Sequence, residues 1–412
     1  MSKWRKKQLQ EIAFLKPTET LKKGDIAPNI PMANIKEFQR DVVKIDYGEF
    51  RGGTKFRNGD TLLAKITPCL ENGKTAFVNC LQEDEIGFGS TEFIVLRAKE
   101  NIDERFLYYL SISPEFRKQA ISLMEGTSGR KRVNENALKI SDFLIPDFEE
   151  QKKIANILSA IDDKISLNNQ INQELEAMAK TLYDYWFVQF DFPDQNGNPY
   201  RSSGGKMVYN PELKREIPEG WGVETLRDFE SKIITGKTPS RANSDNFGGE
   251  IPFITIGDIR GNTFIYSTSE SLTDLGASVQ QNKYLPKGSL CVSCIATVGE
   301  IGFTTEWSHT NQQINSIVFE DKTHRYYLYF ALKNYFENAK ASAKTGNTFA
   351  NMNKEDFSGI RIILSSKEIK NYFHEISEPY FAQIKCLQGE NQELTQLRDW
   401  LLPMLMNGQV KV

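Results

Sequence analysis

Cys291 and Cys294 stand in a C-x-x-C pair, and Pro193-Asp194 followed by Glu212-Leu213-Lys214 has the letter pattern by which some nucleases hold Mg²⁺. A structural zinc needs four ligands. No second C-x-x-C occurs and the only histidines are His309, His324 and His374, so both cysteines read as structural thiols. The acidic pattern needs carboxylates projecting from rigid elements into one pocket, whereas Asp194 and Glu212 lie in a run of Gly, Ser, Asn and Pro. No G-x-G-x-x-G, Walker loop or H-E-x-x-H occurs, nor the Asn/Asp-Pro-Pro-aromatic motif of amino-methyltransferases. The expectation is a chain with no catalytic residue and no metal of its own. A nuclease or methyltransferase with an unrecognised site is the alternative, and a two-domain adaptor that binds protein is a third reading.

Polar and basic loops point to recognition. Gly126-Thr127-Ser128-Gly129-Arg130-Lys131-Arg132 sets three cations on a loop loosened by two glycines, suited to phosphates and base edges. A later counterpart, Lys344-Thr345-Gly346-Asn347-Thr348-Phe349, is rich in hydroxyls and amides. Near strand ends lie Lys65, Thr67, Lys74, Ser90 and Thr91 in the first half, and Thr297, Gln312, Gln313 and Asn315 in the second. With Ser128, Arg130, Lys131, Arg132, Lys344, Thr345, Asn347 and Thr348 these form the expected DNA-binding set, since Asn and Gln are the side chains that read adenine bidentately.

The elements holding these loops repeat. A length of 412 residues suggests two or three domains, and 39% hydrophobic with 25% charged residues excludes wholesale disorder. No apolar run reaches about 18 residues, and Met1-Ser2-Lys3-Trp4-Arg5-Lys6-Lys7 leads into no apolar stretch; a cytoplasmic protein with five reduced cysteines is expected. Net charge is −3, with the acid excess gathered in residues 149–192, so the total says little about a basic face elsewhere. The second half repeats the first at an offset of about 219 residues. Trp4 and Leu9 answer to Trp221 and Leu226, Arg105 to Tyr109 answers to Arg325 to Tyr329, and Val133-Asn134 answers to Met352-Asn353. Short β runs, Gly-rich turns and a helix or two in each copy predict an α+β fold.

Each copy ends in a long apolar-periodic helix. The predicted divisions are a recognition domain over 1–148, a helix over 149–192, a polar linker over 193–216, a second recognition domain over 217–366, and a second helix with tail over 367–412. The heptad pattern predicts an antiparallel seam of Ile154, Ile161, Ile165, Asn172 and Leu175 against Phe373, Tyr380, Ile384, Asn391 and Leu394. Asn172 and Asn391 occupy equivalent polar a positions and are expected to be neighbours. Asp147-x-x-Glu150 and Ser365-x-x-Glu368 read as capping boxes. Tyr183, Trp186, Phe187, Trp400, Leu402 and Met404 exceed what a two-helix seam buries, and predict a face for a partner subunit.

Two variable bodies alternating with two similar long helices resemble the specificity (S) subunit of type I restriction-modification systems. The strings that carry the resemblance are Ile145-Pro146-Asp147-Phe148-Glu149-Glu150-Gln151, Phe192-Pro193-Asp194-Gln195-Asn196-Gly197, Ser202-Ser203-Gly204-Gly205-Lys206, Ile217-Pro218-Glu219-Gly220-Trp221 and Leu397-Arg398-Asp399-Trp400-Leu401-Leu402-Pro403. At the second helix Lys367-Glu368-Ile369-Lys370-Asn371 departs from the usual Glu-Gln pair. The resemblance implies two target recognition domains related by a pseudo-twofold axis, each reading one half of a split asymmetric DNA site, with the helices as spacer. It also implies two modification (methyltransferase) subunits that use S-adenosylmethionine, and restriction subunits that use ATP and Mg²⁺.

Overall fold

The computed structural model describes residues 4–42, 44–127, 129–343 and 351–412. Ser128, Lys344, Thr345, Asn347 and Thr348 of the expected DNA-binding set lie outside the described residues. The chain forms two units, Met1–Leu167 with Glu393–Val412, and Asn168–Gln392. Each long helix, Phe148–Tyr183 and Lys367–Met406, therefore contributes to both. Segment 193–216 belongs to the second unit and contains strand Met207–Asn210, which pairs with Arg215–Pro218 as a hairpin.

In the first unit a sheet runs in the order Ala13–Leu15, Phe93–Ala98, Thr61–Ala64, Thr75–Phe77. A second runs Asp46–Glu49, Ile26–Ile30, Gly87–Gly89, Thr54–Phe56, with Ile26–Ile30 and Gly87–Gly89 parallel. The second unit repeats this plan. Its larger sheet is ordered Ile233–Thr235, Ile314–Ile317, Leu290–Ser293, Ile301–Thr304, Phe264–Ile265, and its smaller one Glu270–Leu272, Phe247–Ile254, His309–Thr310, again with one parallel pair, Phe247–Ile254 with His309–Thr310. Asn134 and Asn353, 219 residues apart, each cap a short helix by accepting from a backbone N–H. That satisfies an otherwise orphan donor, so the repeat is physical down to single caps.

The long helices pack antiparallel within each unit. In the first, the Arg398 guanidinium donates to Asp162 at 2.9 Å and Lys153 reaches the carbonyl of Val412. In the second, Asn168 donates to Asn391 at 2.9 Å. Ile154, Ile161, Phe373 and Ile384 are buried, while Ile165, Leu175, Tyr380 and Leu394 are half-buried. The side chain of Asn391 bonds Asn168 and Asn169. Asn172 lies about one turn further along, at 1.5 Å per residue, and its buried amide has no partner among the described residues. The first helix starts as read, with Glu150 N–H on the Asp147 carboxylate. In the second the cap is Ser366, accepting from Ile369 N–H, and not Ser365, because the helix begins at Lys367.

The expected partner face also needs correction. Tyr183, Trp186 and Phe187 are buried in the core of the second unit, where the Phe187 ring lies 4.7 Å from Tyr327 and 5.2 Å from Phe373. Leu402 is buried in the core of the first unit, with Leu405, Ile154 and Leu158. These side chains serve their own domains, which offered more apolar surface than a two-helix seam. Met404 is half-buried, and Trp400 stays 58% exposed.

Candidate nucleic-acid interface

Both units place a polar strip where the last residue of the short parallel strand leads into an inner strand of the larger sheet. In the first unit Gly87–Gly89 leads through Ser90-Thr91-Glu92 to Phe93–Ala98; in the second His309–Thr310 leads through Asn311-Gln312-Gln313 to Ile314–Ile317. The same scaffold thus presents hydroxyls and a carboxylate in one copy and amides in the other.

The first strip is bordered by cations, most of them paired. Arg132 forms a bidentate pair with Glu92, closest at 2.7 Å, and the guanidinium holds the Glu92 carboxyl below its ordinary range. Lys65 meets Glu135 at 3.1 Å, and Lys16 meets the same carboxylate at 2.7 Å. Lys74 donates to the carbonyl of Met32. Ser90 Oγ accepts from Glu92 N–H, which shapes the turn. Thr67 Oγ1 is buried without a partner among the described residues, while Thr67 N–H donates to the carbonyl of Lys131, tying the basic loop to this face. Thr91, Arg130 and Lys131 are exposed. Lys16 was missed in the sequence; it holds positive φ at the end of its strand, a signal that no spacing rule carries.

The second strip is sorted by which amides are already engaged. Asn315 is 3% exposed, its Oδ1 accepting from Thr235. This corrects its reading as a base contact: it lies buried on an inner strand. Asn311 and Gln313 bond each other. Gln312 is exposed, with Oε1 accepting from Thr238 at 2.6 Å. Thr297 accepts from Arg260 at 3.3 Å. Lys237, Thr238 and Arg260 were missed, although Thr235-Gly236-Lys237-Thr238-Pro239, a glycine and cation directly after a strand, was a legible cue.

The residues with enzymatic appearance have structural roles. Burial pushes the Cys291 thiol up to about 12 and Cys294 up to about 11, away from thiolate chemistry. Asp194 accepts the N–H groups of Asn196 and Asn198 in a turn, and Glu212 pairs with Arg361 at 3.2 Å.

Fold and site define a duplicated α+β binding scaffold whose two copies carry different polar strips on matching strand ends. The family model described as "Type I restriction modification DNA specificity domain" matches twice, over residues 1–177 and 218–396. The chain is 34% identical over 406 residues to the type I restriction enzyme HindI specificity subunit of Haemophilus influenzae, covering 86% of this chain and 87% of that one. It is 27% identical over 320 residues to the MjaIX specificity subunit of Methanocaldococcus jannaschii, covering 76% and 71%. The fold is similar to the crystal structure of a type I restriction-modification S subunit from M. genitalium, with TM-score 0.51 at 17% identity over 98% and 96% of the two chains. The chain belongs to the type I restriction-modification specificity subunit family.

Proposed function

We propose that the chain is the DNA-reading specificity subunit of a type I restriction-modification complex, that each recognition domain reads one half of a bipartite asymmetric site, and that it performs no bond chemistry itself. The observation that carries this reading is the pair of strips: one strand plan, used twice, displays Ser90-Thr91-Glu92 in one copy and Asn311-Gln312-Gln313 in the other. A duplicated catalyst would be expected to repeat its reactive groups. A bipartite reader repeats its frame and varies its contacts.

The long helices have 36 and 40 residues, about 54 and 60 Å at 1.5 Å per residue, and in this reading they set the unread gap between half-sites. They also dock modification subunits. The surface that supports docking is not the aromatic set named from the sequence but a groove of about 480 Å³ in the second unit, where Met178, Leu182 and Tyr185 of one helix face Ile376 and Tyr380 of the other beside Glu174. Met178 is 51% exposed. An amphipathic helix laid along such a stripe is a recurring recognition mode. S-adenosylmethionine, ATP and Mg²⁺ belong to the partner subunits. No helix among the described residues is long and apolar enough to cross a membrane.

The test is duplex affinity of the chain with its modification subunits as a function of salt. A DNA reader loses affinity linearly on a log–log plot, by about 0.9 per phosphate neutralised. Affinity for DNA that is absent, or unchanged by salt, would favour the protein-binding adaptor.

A further inference from the structure

In the second recognition domain the amides beside Gln312 are engaged internally: buried Asn315 accepts from Thr235, and Asn311 donates to the Gln313 side-chain oxygen and accepts from the Gln313 backbone N–H. Gln312 alone is exposed with an amide nitrogen that has no partner among the described residues, and its carbonyl is held by the Thr238 hydroxyl at 2.6 Å. The hydroxyl is delivered by a close backbone approach. Gly236 N–H donates to the carbonyl of Ile314 and Lys237 N–H to that of Thr310. A Cβ on Gly236 would come within 2.2 Å of Thr310 Oγ1 and of the Asn311 carbonyl oxygen, so only glycine lets segment 235–238 lie against the strip.

We propose that Thr238 is a positioning residue for base reading by Gln312, and that this pair specifies one adenine in the half-site read by the second domain. With one lone pair of Oε1 occupied by Thr238, the amide is fixed in orientation. Nε2 donates to N7 of a purine, and the remaining lone pair of Oε1 accepts from the N6 amino group, the bidentate pattern that selects adenine. An exposed Gln otherwise adopts many rotamers, whose loss on binding opposes recognition. The hydroxyl removes part of that cost before DNA arrives. The first domain has no amide at this place, its strip being Ser90-Thr91-Glu92, so the effect is confined to one half-site. The inference rests on the DNA-reading function proposed above.

The experiment is the methylation motif of genomic DNA from cells expressing the chain with its modification subunit, for wild type and for Gln312→Ala, Thr238→Val and Thr238→Ser. Gln312→Ala is expected to lower discrimination at one adenine of one half-site by about 5- to 150-fold, the range of one bidentate contact. Thr238→Val, which keeps shape and removes the hydroxyl, is expected to relax the same position by about 2- to 10-fold, the worth of one hydrogen bond, and Thr238→Ser to restore it. A Thr238→Val motif identical to wild type, or relaxation spread over both half-sites, overturns the pair. A wild-type complex with no sequence motif overturns the DNA-reading function instead.

Discussion

Gln151 and Lys370 stand 219 residues apart, each the fourth residue of its long helix, and they seal the two helix starts in chemically different ways. Gln151 is 1% exposed; its Oε1 accepts from Asp103 N–H at 3.0 Å, and its Nε2 donates to the carbonyls of Pro146 and Asn101. Lys370, 7% exposed, lies 3.3 Å from His324 Nε2 and 4.5 Å from the Phe229 ring centre, while His324 Nδ1 meets Glu230 at 2.8 Å. An ammonium only donates, so His324 Nε2 accepts from it and the ring Nδ1–H donates to Glu230. One place in the repeat does one job, joining a helix start to its recognition domain. An amide does it in one copy, and a Lys–His–Glu chain does it in the other.

The same contrast recurs deeper in each unit. In the first, Asp162 accepts from Arg398 and from Tyr109 at 2.7 Å, with Arg398 and Asp162 about 5% and 4% exposed. In the second, Glu176 takes Tyr329, Lys333 and Thr263 at a site about one-quarter exposed. Removing one partner of a fully buried pair strands the other charge. Arg398→Ala is therefore expected to destabilise the first unit by about 3–5 kcal/mol, and Glu176→Ala the second by about 1–2 kcal/mol. Hydrogen exchange resolved by unit measures both. Equal losses would erase the distinction between a buried lock and a screened one.

Exchanging the helix-start residues sharpens the comparison. Gln151→Ala is expected to cost the first unit about 1–3 kcal/mol, because buried backbone groups lose their partners. Gln151→Lys should cost more than Lys370→Gln, since the first unit offers the ammonium no His–Glu acceptor. The reverse order in chemical denaturation would show that the two sites are not doing equivalent work.

A further expected effect, no larger than that of Glu176→Ala, is in acid. All three histidines lie in the second half, and burial holds His309, stacked 4.8 Å from Tyr284, down at about 4. The unfolded chain takes that proton near the ordinary value of about 6.5. The second unit thus loses stability as pH falls from about 6.5 to about 4, on the order of 1–2 kcal/mol after solvent screening. The first unit has no histidine to contribute. His309→Phe, which keeps a ring against Tyr284, is expected to flatten this part of the pH dependence. Unchanged acid sensitivity in that variant would move the cause elsewhere in the unit.

Much of the frame was legible because it is local. The cap at Asp147, the β runs Thr61–Ala64 and Leu290–Ser293, and the periodicity of both long helices are written in neighbouring residues. The site was less legible because its partners are distant in sequence. Arg132 looked like a free cation until Glu92, 40 residues away, closed on it. Asn315 looked like a reader until its strand proved to be buried along its whole length inside the larger sheet. Tyr183, Trp186 and Phe187 looked like an interface because sequence shows how much apolar surface a helix carries, and not which neighbour covers it. The contact of Thr238 with Gln312 became visible only when the fold laid residues 235–238 beside 310–312.

The central claim is that two unlike strips on one repeated frame read two unlike blocks of DNA. Sequencing the methylated adenines in DNA from cells that express the chain with its modification subunit tests it most directly. The account predicts a single asymmetric motif of two defined blocks separated by a fixed number of unspecified base pairs. A contiguous motif, or two identical blocks, would contradict it.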